Sequence, residues 1–444
     1  MKPALPVNRR SAMAAGAAAA SVTIVPRHVL GHADQKPPSE KLNIAGVGVG
    51  GMGSGDLKNV AAENNIVALC DADRRAVERN AKLYPAAKHY ADFRKMLETQ
   101  KDIDAVVVAT PDHLHAPISI MAMKLGKHVH CQKPLTHSVY EARMMGQIAR
   151  QMKVATQMGN QGQASEEARL IGEYIQSGAI GVVREIHAGS NRYPPISKRG
   201  VPRPAETPAV PAELDWDLWL GPSPQRPYHP TYHPFAWRSW WDFGTGVLGD
   251  IGCHQLSAVF KALKLGHPAW VDACSSNHQM PPEVANETAP LSSVTRWFFP
   301  AEGQRAAVTI TWWDGGLKPP RPEELEPGRA FGEGDWLMIV GDRGKMLGHR
   351  PFPETKAQEI GRPPRTLPRS IGHYKEWIEA CKGGPPAGSN FVDHAAHLAE
   401  VVLLGNIAIR TKEKLLWDGP NLRFTNSEAA NQLINPPYRA GWSL

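Results

Sequence analysis

Asp250 and His254 stand four residues apart in the run Gly249-Asp250-Ile251-Gly252-Cys253-His254. On a helix, positions i and i+4 share a face, so this spacing predicts a carboxylate and an imidazole pointing the same way. An imidazole ordinarily titrates near neutral pH and can take a proton from a hydroxyl. The carboxylate can orient that imidazole or bind a neighbouring substrate hydroxyl. A helix-start cap beside a satisfied core histidine is the plain structural alternative. Far upstream, Ile44-Ala45-Gly46-Val47-Gly48-Val49-Gly50-Gly51 holds G-x-G-x-x-G at Gly46, Gly48 and Gly51. Between a strand and a helix, such a loop turns backbone N–H groups toward a pyrophosphate. One glycine makes the tight turn, one admits the phosphates, and one lets the helix approach the strand. Gly50 and Met52 complete the expected contact surface. Asp71, ending the next strand, is placed to accept hydrogen bonds from adenosine ribose hydroxyls and to repel a 2′-phosphate. That favours NAD over NADP, a preference that Arg74 and Arg75 can soften.

The scaffold for these groups is legible in the periodicity. Strand-like runs at 42–45, 66–70, 105–109, 128–131 and 154–158 alternate with helical runs at 52–62, 74–83, 91–100, 117–125 and 138–152. Alternation at this spacing implies right-handed crossovers and a doubly wound parallel sheet. The run 105–109 (AVVVA) is continuous and β-branched, as a strand buried on both faces requires. Beyond 159 the rhythm changes. A helix at 166–176 and a strand at 183–189 precede a proline-rich stretch, 193–234. Its Trp216, Trp219, Tyr228 and Tyr232, with Phe235 just beyond, argue for a packed loop, because disordered segments lack aromatics. A helix over 246–263 carries Asp250 and His254. Strand-like runs at 294–299, 306–313 and 336–340 follow, then helices at 374–381 and 394–411. The expected fold class is α/β. A Rossmann doubly wound sheet spans 40–160, and an α+β domain with a mostly antiparallel open sheet spans 161–444.

Composition narrows the function. Apolar residues make up 42% of the 444 and charged residues 21%, the balance of a soluble globule. The formal charge of +7 is spread along the chain without a basic block, which argues against a nucleic-acid groove. Five scattered cysteines give neither a disulfide framework nor zinc-finger spacing. Asn8-Arg9-Arg10-Ser11 precedes an uncharged run at 12–25 that is too short to span a bilayer. With a small-residue exit at 31–33, it has the parts of a twin-arginine export signal over 1–33, and hence of a periplasmic protein. A basic tail on a cytoplasmic protein is the alternative.

Behind the glycine loop, Thr110-Pro111-Asp112-His113-Leu114-His115, Cys131-Gln132-Lys133-Pro134 and the Asp250–His254 run occur in that order. Together they resemble the Gfo/Idh/MocA family of sugar and cyclitol oxidoreductases. The similarity runs from about Lys41 to the last residue and is greatest to an exported bacterial branch. It implies a lysine beside the nicotinamide and the reacting hydroxyl, matched by Lys133. The family's glutamate before that lysine is Gln132 here. It also implies the aspartate–histidine signature of Asp250 and His254, while a further aspartate common in the family is Cys253 here. Lys133, Asp250 and His254 are therefore the expected catalytic set. His254 takes a hydroxyl proton as hydride leaves the carbon, and Lys133 stabilises the developing alkoxide.

Thr110, Pro111, His113, His115, Gln132 and Lys133 join Gly46, Gly48, Gly50, Gly51, Met52 and Asp71 as expected cofactor contacts. His113 and His115 have metal-like spacing but no third ligand, so no metal is expected. Trp237, Trp240 and Trp241, with Trp216, are candidate stacking faces for a sugar ring, half or more of them serving as core anchors instead. Asn160, Asn191, Arg192 and Tyr193 are candidate hydroxyl contacts. The function implied is NAD(P)-dependent hydride transfer at a hydroxyl of a sugar, sugar derivative or cyclitol. A redox-neutral NAD-dependent glycosidase and a cofactor-bound binding or regulatory protein are the other readings. Export would require the nucleotide to be tightly held. An antiparallel sheet has one face that must be covered or solvated, and the resemblance implies that sheets pair in a homo-oligomer, a dimer or tetramer.

Overall fold

The first sheet has six parallel strands: β1 (Asn43–Val47), β2 (Asn65–Cys70), β3 (Lys88–Tyr90), β4 (Ala105–Val108), β5 (His128–Cys131) and β6 (Thr156–Met158). Their order, β3-β2-β1-β4-β5-β6, reverses direction between β1 and β4. In such sheets a crevice opens at that reversal, outside the carboxyl ends of the strands. The computed structural model describes residues 40–191 and 199–444, so the expected leader at 1–33 and the candidates Arg192 and Tyr193 lie outside the described residues. Every residue of β4 is buried, as the AVVV run requires. The helix Val139–Met152 shows how the sequence sets a boundary. Ser138 and Glu141 form a reciprocal capping box at its start, and Val139, Ala142, Met145, Ile148 and Ala149 bury one stripe.

The second sheet is built from β7 (Val183–Ser190), β8 (Trp270–Ser275), β9 (Ser293–Phe299), β10 (Val308–Asp314), β11 (Asp335–Gly341), β12 (Lys345–Leu347), β13 (Arg350–Phe352), β14 (Leu415–Asp418) and β15 (Arg423–Phe424). Their order is β13-β12-β11-β7-β10-β9-β8-β14-β15. All neighbours run antiparallel except β7 and β10. Both sheets lie within one compact unit, Asn43–Leu444. The span Phe391–Thr411 is long and apolar enough to cross a membrane, but it is mostly buried inside the molecule as a core helix.

Asp250 and His254 sit on the helix Gly246–Gln255, whose Leu248, Ile251 and Gly252 are buried while the two polar groups are half-exposed. The sequence predicts one helix over 246–263. Instead the chain breaks at Leu256, and a second helix runs Ser257–Leu263. At the break the Ser257 hydroxyl is a buried hub: it donates to Gln163 Oε1 at 2.6 Å, accepts from Asn160 Nδ2 at 3.0 Å and meets His394 Nε2 at 2.7 Å. The described part of the proline-rich stretch, 199–234, packs Trp216, Trp219, Tyr228 and Tyr232 with Trp240 and Phe243 into an aromatic core. Within that core Trp216 and Trp219 stack with ring centroids 4.7 Å apart.

Candidate active site

A cavity of about 450 Å³ opens where β1 and β4 diverge, walled by the glycine loop, Asp71, Thr110, Pro111, Gln132 and Lys133. Gly48 has φ +77°, and a Cβ there would lie 2.6 Å from the Thr110 nitrogen, so the loop needs glycine twice over. Gly46 packs under Leu57. The third role differs from expectation. Around Gly51, which opens the helix Gly51–Ala61, there is open space, whereas a Cβ on Gly53 would lie 1.9 Å from the Gly48 carbonyl oxygen. The helix therefore closes on the glycine loop at Gly53. No side chain caps the helix start at Gly50, which leaves its first amides to a ligand. Met52, half-exposed, lines the cavity beside them.

The Asp71 carboxylate accepts from the amides of Val49 and Asp73, both at 2.9 Å, and burial pushes its pKa to about 6. Arg75 is engaged by Asp73 and Arg74 by Glu78, so neither cation is aimed at Asp71. The Thr110 hydroxyl oxygen is buried with no partner among the described residues. Uncapped amides, a cradle that a side chain would fill and an orphaned hydroxyl suit a dinucleotide phosphate.

A second cavity, of about 510 Å³, adjoins the first, and the two share Lys133, Phe235 and Arg238. Asp250, His254 and Gln255 line it from the helix, with Arg199 and Asp335 opposite. Lys133 Nζ donates to Asp250 Oδ1 at 2.5 Å and to the Asp250 carbonyl at 3.0 Å. Burial pushes the Asp250 carboxyl up, but Lys133, Arg238 and His254 together hold it below the usual carboxylate range. The three expected catalytic residues thus converge on one wall, with the Asp250 carboxylate given to Lys133.

The side chain of Gln132 explains its own departure from the family glutamate. Its Nε2 donates at 2.8 Å to Asp56, a fully buried carboxylate that also accepts from the Tyr374 hydroxyl at 2.7 Å. A glutamate at 132 would set two carboxylates against each other. Cys253 is buried and its thiol is directed at the Gly249 carbonyl, with burial pushing its pKa up to about 12.

Several candidates fall elsewhere. His113 and His115 do not line the nucleotide cavity. Their rings are buried, and each nitrogen faces a backbone carbonyl: Phe243 and Trp219 for His113, Pro134 and Thr110 for His115. Burial holds their pKa values down to about 3 and about 4. They are clamps, and His115 ties the loop after β4 to the loop carrying Lys133. Trp240 and Trp241 are interior and offer no face to a sugar. Trp237 lines the nucleotide cavity under the Arg238 guanidinium, 4.2 Å from its ring centroid, and not the second cavity. Asn160 is fully buried on Ser257, and Asn191 is spent on the loops at Gly316 and Gly332, so neither reaches the second cavity. A separate histidine–carboxylate cluster, His267, His397 and Glu400, lies outside both cavities, with the Glu400 oxygens held by Arg143.

Sequence reasoning passed over Asp112, which lay between two highlighted residues without a task. Its carboxylate is buried, accepts from the Thr245 hydroxyl at 2.8 Å and lines the nucleotide cavity. Burial and the neighbouring Asp250 charge push its pKa from 3.8 to about 8. With a raised folded-state pKa, the protonated carboxyl contributes stability that is complete below about 4 and lost as pH climbs to about 8. Asp112→Asn, which has no proton to lose, should therefore gain on the parent chain as pH rises through that window and stay level above it. Denaturant midpoints at about pH 5, 7 and 9 read this directly. A difference that does not vary with pH would remove the assignment.

The profile of the GFO/IDH/MocA oxidoreductase family, NAD-binding Rossmann fold, matches residues 42–160, and its C-terminal alpha/beta domain matches 200–279 and 358–444. The chain belongs to this family. Among similar proteins, the levoglucosan dehydrogenase of Pseudarthrobacter phenanthrenivorans is 28% identical over 201 residues, covering 45% of this chain and 41% of that protein. A glycosyl hydrolase family 109 protein of Stenotrophomonas maltophilia is 36% identical over 141 residues, covering 28% of this chain and 29% of its own length. The chain thus spans less than half the length of these curated relatives. In fold it is similar to the WlbA dehydrogenase of Bordetella pertussis, solved with NADH and UDP-GlcNAcA. That likeness has a TM-score of 0.58 at 16% identity and covers 85% of this chain and 98% of the other.

Proposed function

We propose that this chain is an NAD-dependent oxidoreductase acting on a hydroxyl-bearing carbon of a carbohydrate or cyclitol. The observation that carries the reading is Lys133, an ammonium on the wall common to both cavities and paired with Asp250 at 2.5 Å. NAD bound in the first cavity supplies the hydride acceptor. Gly48, bare of a side chain and with its own N–H given to the Cys70 carbonyl, admits the phosphates; the first amides of helix Gly51–Ala61 hold them, Thr110 adds a hydroxyl, and Asp71 takes the ribose. In the second cavity His254 takes the hydroxyl proton of the substrate as base. Lys133 meets the negative charge left on that oxygen. Asp250 holds the ammonium in place, so its part is to position Lys133. The lining of arginines, aspartates and a histidine suits a ligand rich in hydroxyls.

The 36% identity to a glycosyl hydrolase family 109 protein favours one second reading, in which oxidation is transient and a glycosidic bond is eliminated before the nucleotide is restored. One experiment addresses both. The purified chain is incubated with NAD and a panel of free sugars, cyclitols and aryl glycosides, with NADH and released aglycone followed together. Substrate-dependent NADH supports the oxidoreductase; aglycone without net NADH selects the glycosidase. Neither product from any compound, with no NAD(H) in the supernatant of heat-denatured protein, sinks both.

A further inference from the structure

At the end of the nucleotide cavity away from Lys133 stands an indole from the far end of the sequence. The strand order β3-β2-β1-β4-β5 places Asp71 (after β2) and Phe93 (after β3) on one side of the crevice, and Lys133 (after β5) on the other. Phe93, Leu114 and Ile118 form an apolar wall there, and Trp442 completes it. Asp71 lines the same end as a ribose acceptor, while Asp73 and Asp92 are each paired with an arginine, so beside the apolar wall a ribose and a flat, weakly polar ring are the fitting occupants.

The indole is held firmly. The Arg94 guanidinium lies 4.5 Å from its centroid, and Arg94 is itself fixed by two hydrogen bonds from its Nε and Nη2 to Asp92. Phe93 packs beside it with centroids 6.1 Å apart. Behind it, Arg439 locks the segment down: its amide donates to the Pro222 carbonyl at 2.8 Å, and its side chain donates to the Gly221 carbonyl and to Gln225 and pairs with Asp217. Tyr438 adds a hydrogen bond to Glu141. A ring fixed before ligand arrives loses little freedom on binding, so its contact adds to affinity.

We propose that Trp442 is a wall of the adenine subsite and packs against the nucleobase of the dinucleotide. This rests on the reading of the first cavity as the NAD site. The test is calorimetric titration of the full chain, freed of nucleotide, with NAD, ADP-ribose and nicotinamide mononucleotide. Trp442→Ala should weaken NAD and ADP-ribose by about tenfold, the scale of one base–aromatic contact, and leave the mononucleotide, which lacks adenine, unchanged. Trp442→Phe should restore most of the loss and carries the test if the alanine variant does not fold. Parental affinity for ADP-ribose in both variants, or an equal loss for the mononucleotide, overturns the inference alone. A parent chain that binds neither NAD nor ADP-ribose overturns the NAD-site reading with it.

Discussion

Lys133→Ala should lower kcat by about a thousandfold while the chain stays folded and keeps its nucleotide. The direction follows from where the ammonium stands. Its Nζ reaches Asp250 on the substrate side, while the phosphate-binding groups sit on the loop after β1, so the truncation removes a charge from the reaction and none from the pyrophosphate cradle. Removing one preorganised donor to a developing oxyanion costs about 10²–10³ in rate. Truncation also leaves Asp250 without its closest cation, with Arg238 Nε at 3.9 Å as the remaining partner. An anion then faces the site where negative charge develops, which moves the expectation to the upper end, about 4 kcal/mol. Asp250→Asn should cost less, since it loosens the ammonium without removing it. Rates with NAD in excess, and NAD content after denaturation, separate the effects. Unchanged turnover in Lys133→Ala, or a loss confined to NAD affinity, would refute the role given to this residue.

Gly53→Ala should be far more damaging than Gly51→Ala, although the motif spacing gives the helix contact to Gly51. A Cβ at 53 would lie 1.9 Å from the Gly48 carbonyl oxygen, which is backbone and has no rotamer to escape into. Relief requires the helix Gly51–Ala61 to lift from β1, with its amides moving off the phosphate position; overpacking of this kind costs about 3 kcal/mol or more. At 51 a Cβ meets open space, and the cost is the φ of +36°, about 1 kcal/mol. Denaturant midpoints and NAD stoichiometry of the two variants check the order. A larger loss in Gly51→Ala would restore that residue as the contact between helix and strand.

The Rossmann half was readable because its signals are local. A β-branched run gives β4, and a serine three residues ahead of a glutamate gives the start of helix Val139–Met152. Strand β3 was missed because Lys88, His89 and Tyr90 sit at the sheet edge, largely exposed, with no apolar pattern to betray them. The margins of the second sheet escaped through brevity instead: β12, β13 and β15 run two or three residues, too few to show a period, although Met346, Phe352 and Phe424 are buried. Long-range partners account for the errors at the site. His113 reads as a cavity residue until the carbonyls of Trp219 and Phe243, 106 and 130 residues away, are found to face its ring. Asp112 acquires its character from burial and from Asp250, neither of which spacing reveals. Between Gly51 and Gly53 the motif alone does not choose; only the path of the helix over β1 does. The tryptophan-rich loop was legible as ordered, but which indoles face inward depended on packing among Trp216, Tyr232, Trp240 and Phe243.

Lys133 and Asp250 meet although 117 positions of chain separate them, one contributed by each sheet's layer. A growing or refolding chain that has completed only its first six strands would own the nucleotide cradle yet lack the partner that aims its ammonium. On the proposed mechanism, redox competence waits on the docking of helix Gly246–Gln255, which brings Asp250 and His254 to Lys133. Until then, a half-made molecule holding dinucleotide is chemically silent.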